Sequence, residues 1–392
     1  MYPLPTALLE DWMRRYYFRV ELDLGSSGVQ DWSMAELREL LEIDYSEIDA
    51  LVFHDSETLG GAGLRQAIAE RWTHGDVNRV MATHGSTEAN FLVMTALLRP
   101  GDEVVVLDPC YPQLFAIAEA IGCHLKRWPL RWERGFCGSL DDARAVIGEK
   151  TRMVVVNFPH NPTGASISAD EQIELIDLVS RAGAYLIWDG AFADLTFDTP
   201  KLPDPVLMYD RAISMGTLSK AYGLPGLRVG WCLASPETLA KMVTVRDYLT
   251  LHLSPLVELL AAKAIAKADL LTGLRLAQAR HNLGILDRWI AMQDGRVEWA
   301  RPRGGVTAFV RFPQVMDVEA FCIDLAETER VMLVPGTCFG YHKHARLGFG
   351  GPTPAFEEGL RRVGGAIAAA AGKFVAARAR ADKAHVALPK GI

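Results

Sequence analysis

The segment GTLSKAYGLPGLRVG, which runs from Gly216 to Gly230, places one lysine, Lys220, among small and apolar residues. It contains no carboxylate, and Arg228 follows Lys220 eight positions later. The glycine and lysine spacing of a P-loop is missing, so the segment does not have that kind of phosphate-binding loop. A desolvated lysine near a second cation loses proton affinity, which prepares its amine for Schiff-base chemistry near neutral pH. Lowering the pKa of an amine from ~10.4 towards 7 takes roughly 4–5 kcal/mol, more than one surface contact supplies.

The composition indicates a globular protein and excludes several function classes. The 392 residues are 49% hydrophobic and 23% charged, with a net charge of −7, so the chain lacks the basic balance that nucleic-acid binding favours. No apolar run approaches the ~20 residues of a membrane span, and the first residues, MYPLPTALLEDW, lack the pattern of a secretory signal. The six cysteines show no CxxC spacing, which predicts free thiols and no zinc site. We therefore expect a cytoplasmic protein with no metal, membrane or nucleic-acid partner.

Short apolar runs alternate with helical patterns through the first two thirds of the chain. Because these runs are continuously apolar, they predict strands buried on both faces, hence a mainly parallel sheet beneath helices. The predicted strands cover residues 103–108, 152–158, 185–189, 212–217 and 229–233. Residues 168–183 predict a helix, with serine at the N-cap, acids in the first turn and a closing glycine.

The character of the sequence changes after residue 235. Residues 235–300 are mostly helical in pattern, and strand-like runs return at 304–312, 331–335 and 345–350. We expect an α/β fold, with a three-layer α/β/α large domain over residues 45–285. A smaller α+β domain would combine residues 1–44 with residues 286–392.

Polar residues occur at four predicted strand ends, where open α/β sheets bind ligands. THGSTEAN (83–90) suits either a phosphate at a helix start or an ordinary N-cap. NFPHNPTG (157–164) holds Asn161 on a stiff turn, which serves either a ligand or the turn alone. Asp189 ends a buried strand, so it needs a partner, either Lys220 or a cationic ligand nitrogen. The fourth end carries Lys220 itself.

These four ends, in this order, resemble fold-type I pyridoxal 5′-phosphate (PLP) enzymes of the aspartate aminotransferase superfamily, on the motifs NPTG, SKAYGLPGLRVG and a late RLGF. The resemblance implies that Lys220 bonds to the cofactor aldehyde and moves the substrate Cα proton. It further implies that Asp189 keeps the pyridine nitrogen protonated, that Asn161 contacts the phenolic oxygen and that Tyr111 stacks on the ring. The phosphate would be held by Ser86, Thr87, Thr217, Ser219 and Arg228.

The same resemblance implies how the amino-acid substrate binds and how the protein assembles. Arg346 would bind the substrate α-carboxylate bidentately, with help from the backbone at Gly28. Members of this superfamily are usually homodimers with active sites at the interface, so we expect a homodimer.

Two positions depart from the usual superfamily pattern. Phe192 stands where a tyrosine usually donates to the phenolic oxygen of the cofactor, and Asp55 stands where a tyrosine usually reaches the phosphate of the partner subunit. An acid would repel phosphate but suits a cationic substrate. We name Asp31, His54 and Asp55 as candidate ligands of a guanidinium group.

A closer resemblance is to the cyclases that form capreomycidine or the streptolidine ring from β-hydroxylated arginines. It is carried by DLGSSGVQDW, THGSTEA, VVVNFPHNPTGA, WDGAF, RDYLTL and PRGGVTAF. The resemblance implies a dehydrative cyclisation of 3-hydroxyarginine or 3,4-dihydroxyarginine in antibiotic biosynthesis. The sequence leaves open an aminotransferase for a basic or aromatic amino acid and, more remotely, a non-catalytic binding module.

Overall fold

A computed structural model describes residues 3–386, with side chains as far as residue 370. Seven strands form the large sheet in the spatial order β2-β8-β7-β6-β5-β3-β4, and β8 alone runs antiparallel to its neighbours. In chain order the strands are β1 (Leu22–Asp23), β2 (Val80–Thr83), β3 (Glu103–Asp108), β4 (His124–Pro129), β5 (Thr151–Asn157), β6 (Tyr185–Asp189), β7 (Ala212–Thr217), β8 (Gly230–Leu233), β9 (Thr307–Arg311), β10 (Val331–Met332), β11 (Val334–Pro335) and β12 (His344–Gly348).

Helices pack on both faces of the large sheet. On β3, Val105 and Leu107 belong to one hydrophobic core, whereas Val104 and Val106 belong to another on the opposite face. This alternation gives three layers and confirms the predicted α/β class. The helices are α1 (Leu8–Tyr16), α2 (Met34–Leu40), α3 (Tyr45–Asp49), α4 (Ala62–Trp72), α5 (Gly85–Leu97), α6 (Ala116–Ile121), α7 (Leu140–Val146), α8 (Ala169–Arg181), α9 (Pro236–Arg246), α10 (Pro255–Ala266), α11 (Ala268–Ala291), α12 (Val318–Thr328) and α13 (Thr353–Val386).

The predicted helix at 168–183 forms as α8. The Ser168 side chain accepts from the Glu171 backbone N–H, and the Glu171 side chain accepts from the Ser168 N–H, so a capping box closes the N-terminus. Gly183 takes a positive φ of 65° just beyond the helix, where a side chain would be strained. The capping residues and the closing glycine therefore specify both ends of α8 from the sequence alone.

The edge strand β4 was missed by the sequence prediction. Its residues HLKRWP mix charged and apolar side chains, and the strand has only β3 as a neighbour. Because an edge strand needs no continuous apolar run, the pattern that identified the central strands does not detect it.

The N-terminal segment packs against the last third of the chain. β1 pairs in parallel with β10, and the Trp12 indole N–H donates to the Leu333 carbonyl at 2.9 Å. Nearby, β11, β12 and β9 form a three-stranded antiparallel sheet. These contacts are consistent with the predicted small domain, and its boundaries remain a prediction. Residues 1–2 and 387–392, which the prediction includes, lie outside the described residues.

The described residues were compared with two requirements, those of a membrane-spanning helix and of a metal-ligand cluster. None of their helices combines the length and apolar character that crossing a bilayer demands. Among residues 3–370, whose side chains are described, no three His, Cys, Asp or Glu side chains are grouped so that they could hold a metal ion.

We predict that Gly216→Ala destabilises the fold because the new Cβ would lie 2.1 Å from Cε2 of Trp231, directly across β7 and β8. Overpacking of this kind costs about 1–3 kcal/mol. Gly63→Ala is the matched control, since nothing lies within 4 Å of that exposed position in α4. It should be neutral or stabilising by up to ~1 kcal/mol. Thermal unfolding at a fixed scan rate measures both variants, and equal melting temperatures would contradict the prediction.

Candidate active site

A cavity of about 900 Å³ opens where the parallel strands β5, β6 and β7 end. Register places Asn157 beside Asp189 and Asp189 beside Met215, so the three strand ends meet at one edge of the sheet. This is where open parallel sheets bind ligands. The small-domain side of the cavity is formed by α1, the segment after β1 and strand β12.

The cavity brings together nearly all of the predicted site residues. Those that line it are Gly28, Asp31, Ser86, Thr87, Tyr111, Asn161, Asp189, Phe192, Thr217, Ser219, Lys220, Arg228 and Arg346. His54 and Asp55 do not line it, and the exposed Asp55 carboxylate instead lies 3.1 Å from Nε2 of His252. Their role as guanidinium ligands stays a prediction that requires a second subunit.

Lys220 is half-buried and lines the cavity. Its Nζ donates to Oγ of Ser27 at 3.1 Å, and among the described residues no ion pair joins it to Asp189. Burial, followed by the positive charge of Arg346, lowers the pKa of Lys220 to about 8, and Arg228 has a smaller effect in the same direction. The sequence predicted a lowered pKa for Lys220, with Arg228 as the neighbouring cation. In the structure Arg346 lowers this pKa more than Arg228 does.

Asp189 is a buried carboxylate that keeps one side towards the cavity. Its Oδ1 accepts from the Ala191 backbone N–H at 3.0 Å, and burial raises its pKa to about 6. The Asn157 side chain donates to the Asp189 carbonyl at 2.9 Å and accepts from the Asn161 N–H at 2.8 Å. Asn157 therefore fixes the strand end and the NPTG turn relative to each other.

An anion site forms at the N-terminus of α5. Gly85 has a φ of 73°, which favours glycine, and a Cβ there would lie 2.9 Å from Nη2 of Arg228, so the guanidinium lies directly against the start of the helix. Nη1 of Arg228 donates to Oγ of Ser219 at 3.2 Å. Free helix N–H groups, hydroxyls and a guanidinium together suit a phosphate.

Arg346 is buried and charged, with two N–H groups left for a ligand. Its Nε and Nη2 donate to the Gly25 carbonyl at 3.0 and 2.7 Å, and its Nη1 donates to Oδ1 of Asn161 at 3.2 Å. A guanidinium has five N–H groups, so one on Nη1 and one on Nη2 have no partner among the described residues. That pair can receive a carboxylate bidentately.

Two aromatic residues flank the cavity. Tyr111 is held by its hydroxyl, which donates to Oε1 of Glu10 at 2.8 Å, and burial raises its pKa well above the usual value. Phe192 is almost fully buried and brings no hydroxyl to the cavity. A phenolic oxygen near Asn161 would therefore lack the donor that a tyrosine at position 192 would supply.

Three cavity contacts had no counterpart in the sequence prediction. They are the contact of Ser27, which accepts from Lys220, and the two contacts of Glu10, which accepts from Tyr111 and from Gln113. Ser27 adjoins Gly28 in DLGSSGVQDW, so the motif pointed to its neighbourhood. No sequence motif marks Glu10 as a site residue, because the sequence around a helix does not show which of its faces will line a distant cavity.

The residues present fit PLP. The α5 N-terminus, Ser219 and Arg228 match its phosphate, and the cradle between Gly85 and Arg228 has no room for a Cβ. Lys220 offers a poorly solvated amine for the aldehyde carbon, and Asp189 offers a carboxylate for the ring nitrogen.

Comparisons with known proteins agree with this geometry. Residues 52–363 match the family described as aminotransferase class I and II. The chain is 48% identical to capreomycidine synthase of Streptomyces vinaceus, over 92% of this chain and 93% of that protein. It is 30% identical to arginine–pyruvate transaminase AruH of Pseudomonas aeruginosa, over 79% and 81%. The crystal structure of the PLP-dependent cyclase OrfR superposes with a TM-score of 0.89 at 42% identity, covering 93% of this chain and 97% of that one.

We predict that Asp189→Asn changes stability and activity in opposite directions. Because the pKa of Asp189 is raised from 3.8 to about 6, the folded protein binds more protons than the unfolded chain between these values. Stability of the apoprotein should therefore fall as the pH rises from about 4 to about 6, and the neutral variant should lose this dependence. At pH 7 the variant should melt higher than the wild type, while its turnover falls roughly 10²-fold or more. A variant that melts lower at pH 7 and turns over normally would contradict both parts.

Proposed function

The chain belongs to the class I and II aminotransferase family, and we propose that it is a PLP-dependent cyclase acting on a β-hydroxylated arginine. The substrate is 3-hydroxyarginine or its 3,4-dihydroxy analogue, and the product is a cyclic guanidino amino acid of the capreomycidine or streptolidine type. The observation that carries the proposal is the near full-length similarity to capreomycidine synthase. It is supported by a cavity that holds a lysine, an aspartate and an arginine suited to PLP and an α-carboxylate.

The chain's own residues bind the substrate and move its Cα proton. When bound, PLP supplies an electron sink for negative charge at the substrate Cα. Arg346 holds the α-carboxylate with its two remaining N–H groups, which fixes Cα near the amine of Lys220. Lys220, with a pKa near 8, takes the Cα proton and later returns it. Asp189 holds a proton at the ring nitrogen of the cofactor.

The ring-closing reaction then balances in atoms and electrons, and it needs no external oxidant. The β-hydroxyl leaves Cβ as the C–O bond breaks, and a guanidine nitrogen forms a new C–N bond at the same carbon. The proton lost by that nitrogen leaves with the hydroxyl as water, and the Cα proton is restored by Lys220. The net change is the loss of one water, with no amino group transferred.

An aminotransferase acting on arginine is the second candidate, favoured by the similarity to an arginine–pyruvate transaminase. The two functions differ in what arginine alone does to the cofactor. An aminotransferase given arginine without a 2-oxo acid converts its cofactor to the pyridoxamine form, which added 2-oxo acid returns to the aldehyde, whereas a cyclase does not make this conversion.

The test is to incubate the holoenzyme separately with 3-hydroxyarginine and 3,4-dihydroxyarginine. We expect one of them to yield a product lighter by one water, with a new Cβ–N bond in the NMR spectrum. Lys220→Ala should abolish the product, because no other amine among the described residues lines the cavity close to Asp189. Robust conversion of arginine and pyruvate to the 2-oxo acid and alanine, without cyclic product, would establish the second candidate instead.

We also propose that the protein is a cytoplasmic homodimer. Two segments that meet where His252 contacts Asp55 carry exposed apolar side chains, and surface apolar patches are typical of association sites. These side chains, called the patch below, are Val52, Phe53, Tyr248, Leu249 and Leu251. The patch adjoins the phosphate end of the cavity, because the Thr250 hydroxyl contacts the Glu88 carboxylate in α5. The six cysteines are free thiols, which suits a reducing compartment.

In this dimer Asp55 would reach the substrate of the partner subunit. We predict that Asp55→Ala weakens binding of β-hydroxyarginine about tenfold or more while changing PLP binding little, since the carboxylate would meet a guanidinium. Asp49→Ala, a nearby exposed position in α3, is the control and should change neither. Equal losses of substrate and cofactor binding in Asp55→Ala would contradict the guanidinium role.

A further inference from the structure

Helix α1 presents two different faces. Leu9, Trp12 and Tyr16 are buried at a helical spacing of three and four, and Trp12 donates to the Leu333 carbonyl. This face attaches the helix to the small-domain part of the chain. The neighbouring face, which includes Glu10 and Arg14, lines the cavity.

The Glu10 carboxylate accepts hydrogen bonds only from uncharged side chains, at the end of the cavity where the cofactor would bind. Its Oε1 accepts from the Tyr111 hydroxyl at 2.8 Å and from Nε2 of Gln113 at 3.3 Å. Its Oε2 has no hydrogen-bond partner among residues 3–370, whose side chains are described. One oxygen of this carboxylate is therefore available to a ligand.

No protein cation neutralises Glu10 among those described side chains. Arg14, four residues along the same helix, pairs instead with Asp11 at 2.9 Å. The charge of Glu10 nevertheless acts on the centre of the site. Burial and Arg346 lower the pKa of Lys220, and the Glu10 carboxylate opposes them. A carboxylate in this setting is suited to a positively charged ligand group.

The other acids that the N-terminal segment brings to the cavity are less available. Glu21 pairs with Arg362 at 3.1 Å. Oδ1 of Asp23 accepts from the backbone N–H groups of Gly25 and Ser26 at 2.8 and 2.9 Å. Burial raises the pKa of Asp31, and the nearby Arg275 lowers it, so that carboxylate already has a guanidinium close to it. Of these four acids, Glu10 alone forms a hydrogen bond with Tyr111.

We propose that Glu10 is a specificity-determining residue that binds the guanidinium group of the substrate, an inference that rests on the proposed function. Arg346 and Glu10 would then bind opposite ends of an amino acid that is anionic at its α-carboxylate and cationic at its side chain. Because Glu10 belongs to α1, substrate selection depends on the N-terminal segment rather than on the large sheet. Its second oxygen would bind the ligand while the first continues to accept from Tyr111.

The test compares arginine with citrulline, its uncharged isostere, on the holoenzyme by isothermal titration calorimetry. Neither carries the β-hydroxyl leaving group, so the measurement does not depend on cyclisation. Glu10→Gln keeps an oxygen acceptor for Tyr111 and removes only the charge. We expect its affinity for arginine to fall about tenfold or more, with a change below about threefold for citrulline.

Two further variants make the result specific. Glu10→Asp keeps the charge and should retain the preference for arginine over citrulline. Glu39→Gln removes one exposed acid on α2 and should leave both affinities unchanged. PLP affinity and the melting temperature should be the same in Glu10→Gln as in the wild type.

The outcomes separate this inference from the proposed function. Equal losses for arginine and citrulline in Glu10→Gln would mean that Glu10 only positions Tyr111, and an unchanged ratio of affinities would likewise overturn the proposal. If the wild-type enzyme prefers arginine through Glu10 but forms no cyclic product, the guanidinium site is supported and the cyclase function is contradicted.

Discussion

The chemistry of the site depends on one half-buried amine that forms no ion pair with a carboxylate among the described residues. Lys220 has a serine hydroxyl as its hydrogen-bond partner, and burial together with Arg346 lowers its pKa to about 8. A salt bridge to Asp189 would have stabilised the charged amine and removed its nucleophilic form near neutral pH. The absence of that ion pair among the described residues therefore favours the chemistry. Asp189 lies opposite Met215 at the ends of β6 and β7, whereas Lys220 follows three residues after the end of β7.

The two parts of the chain contribute different functions to the cavity. The large sheet supplies Asp189, Lys220 and the anion site at α5, which suit the cofactor. The N-terminal segment and β12 supply Ser27 and Arg346, which meet the amine and an α-carboxylate. Cofactor chemistry can thus be shared across a family, while the choice of substrate changes with the segments that cover the sheet.

Much of the fold followed from local patterns. The central strands were predicted to within about one residue, because a continuous apolar run has no other stable place than inside a parallel sheet. The edge strand β4 was missed, since its polar composition reflects a single neighbour. The loop motifs also identified most of the cavity, because glycine, proline and strand ends constrain where Asn161 and Lys220 can point.

The sequence by itself determined the fold class, the cofactor and the residues that suit it, since these depend on motifs within single loops and strands. Only the tertiary structure decided which groups act on one another across the cavity. Ser27 and Lys220 are 193 positions apart, and Glu10 and Tyr111 are 101 apart, so no local pattern relates them. The dominance of Arg346 over Arg228 at the amine likewise follows from packing, because electrostatic influence depends on distance and burial rather than on sequence spacing.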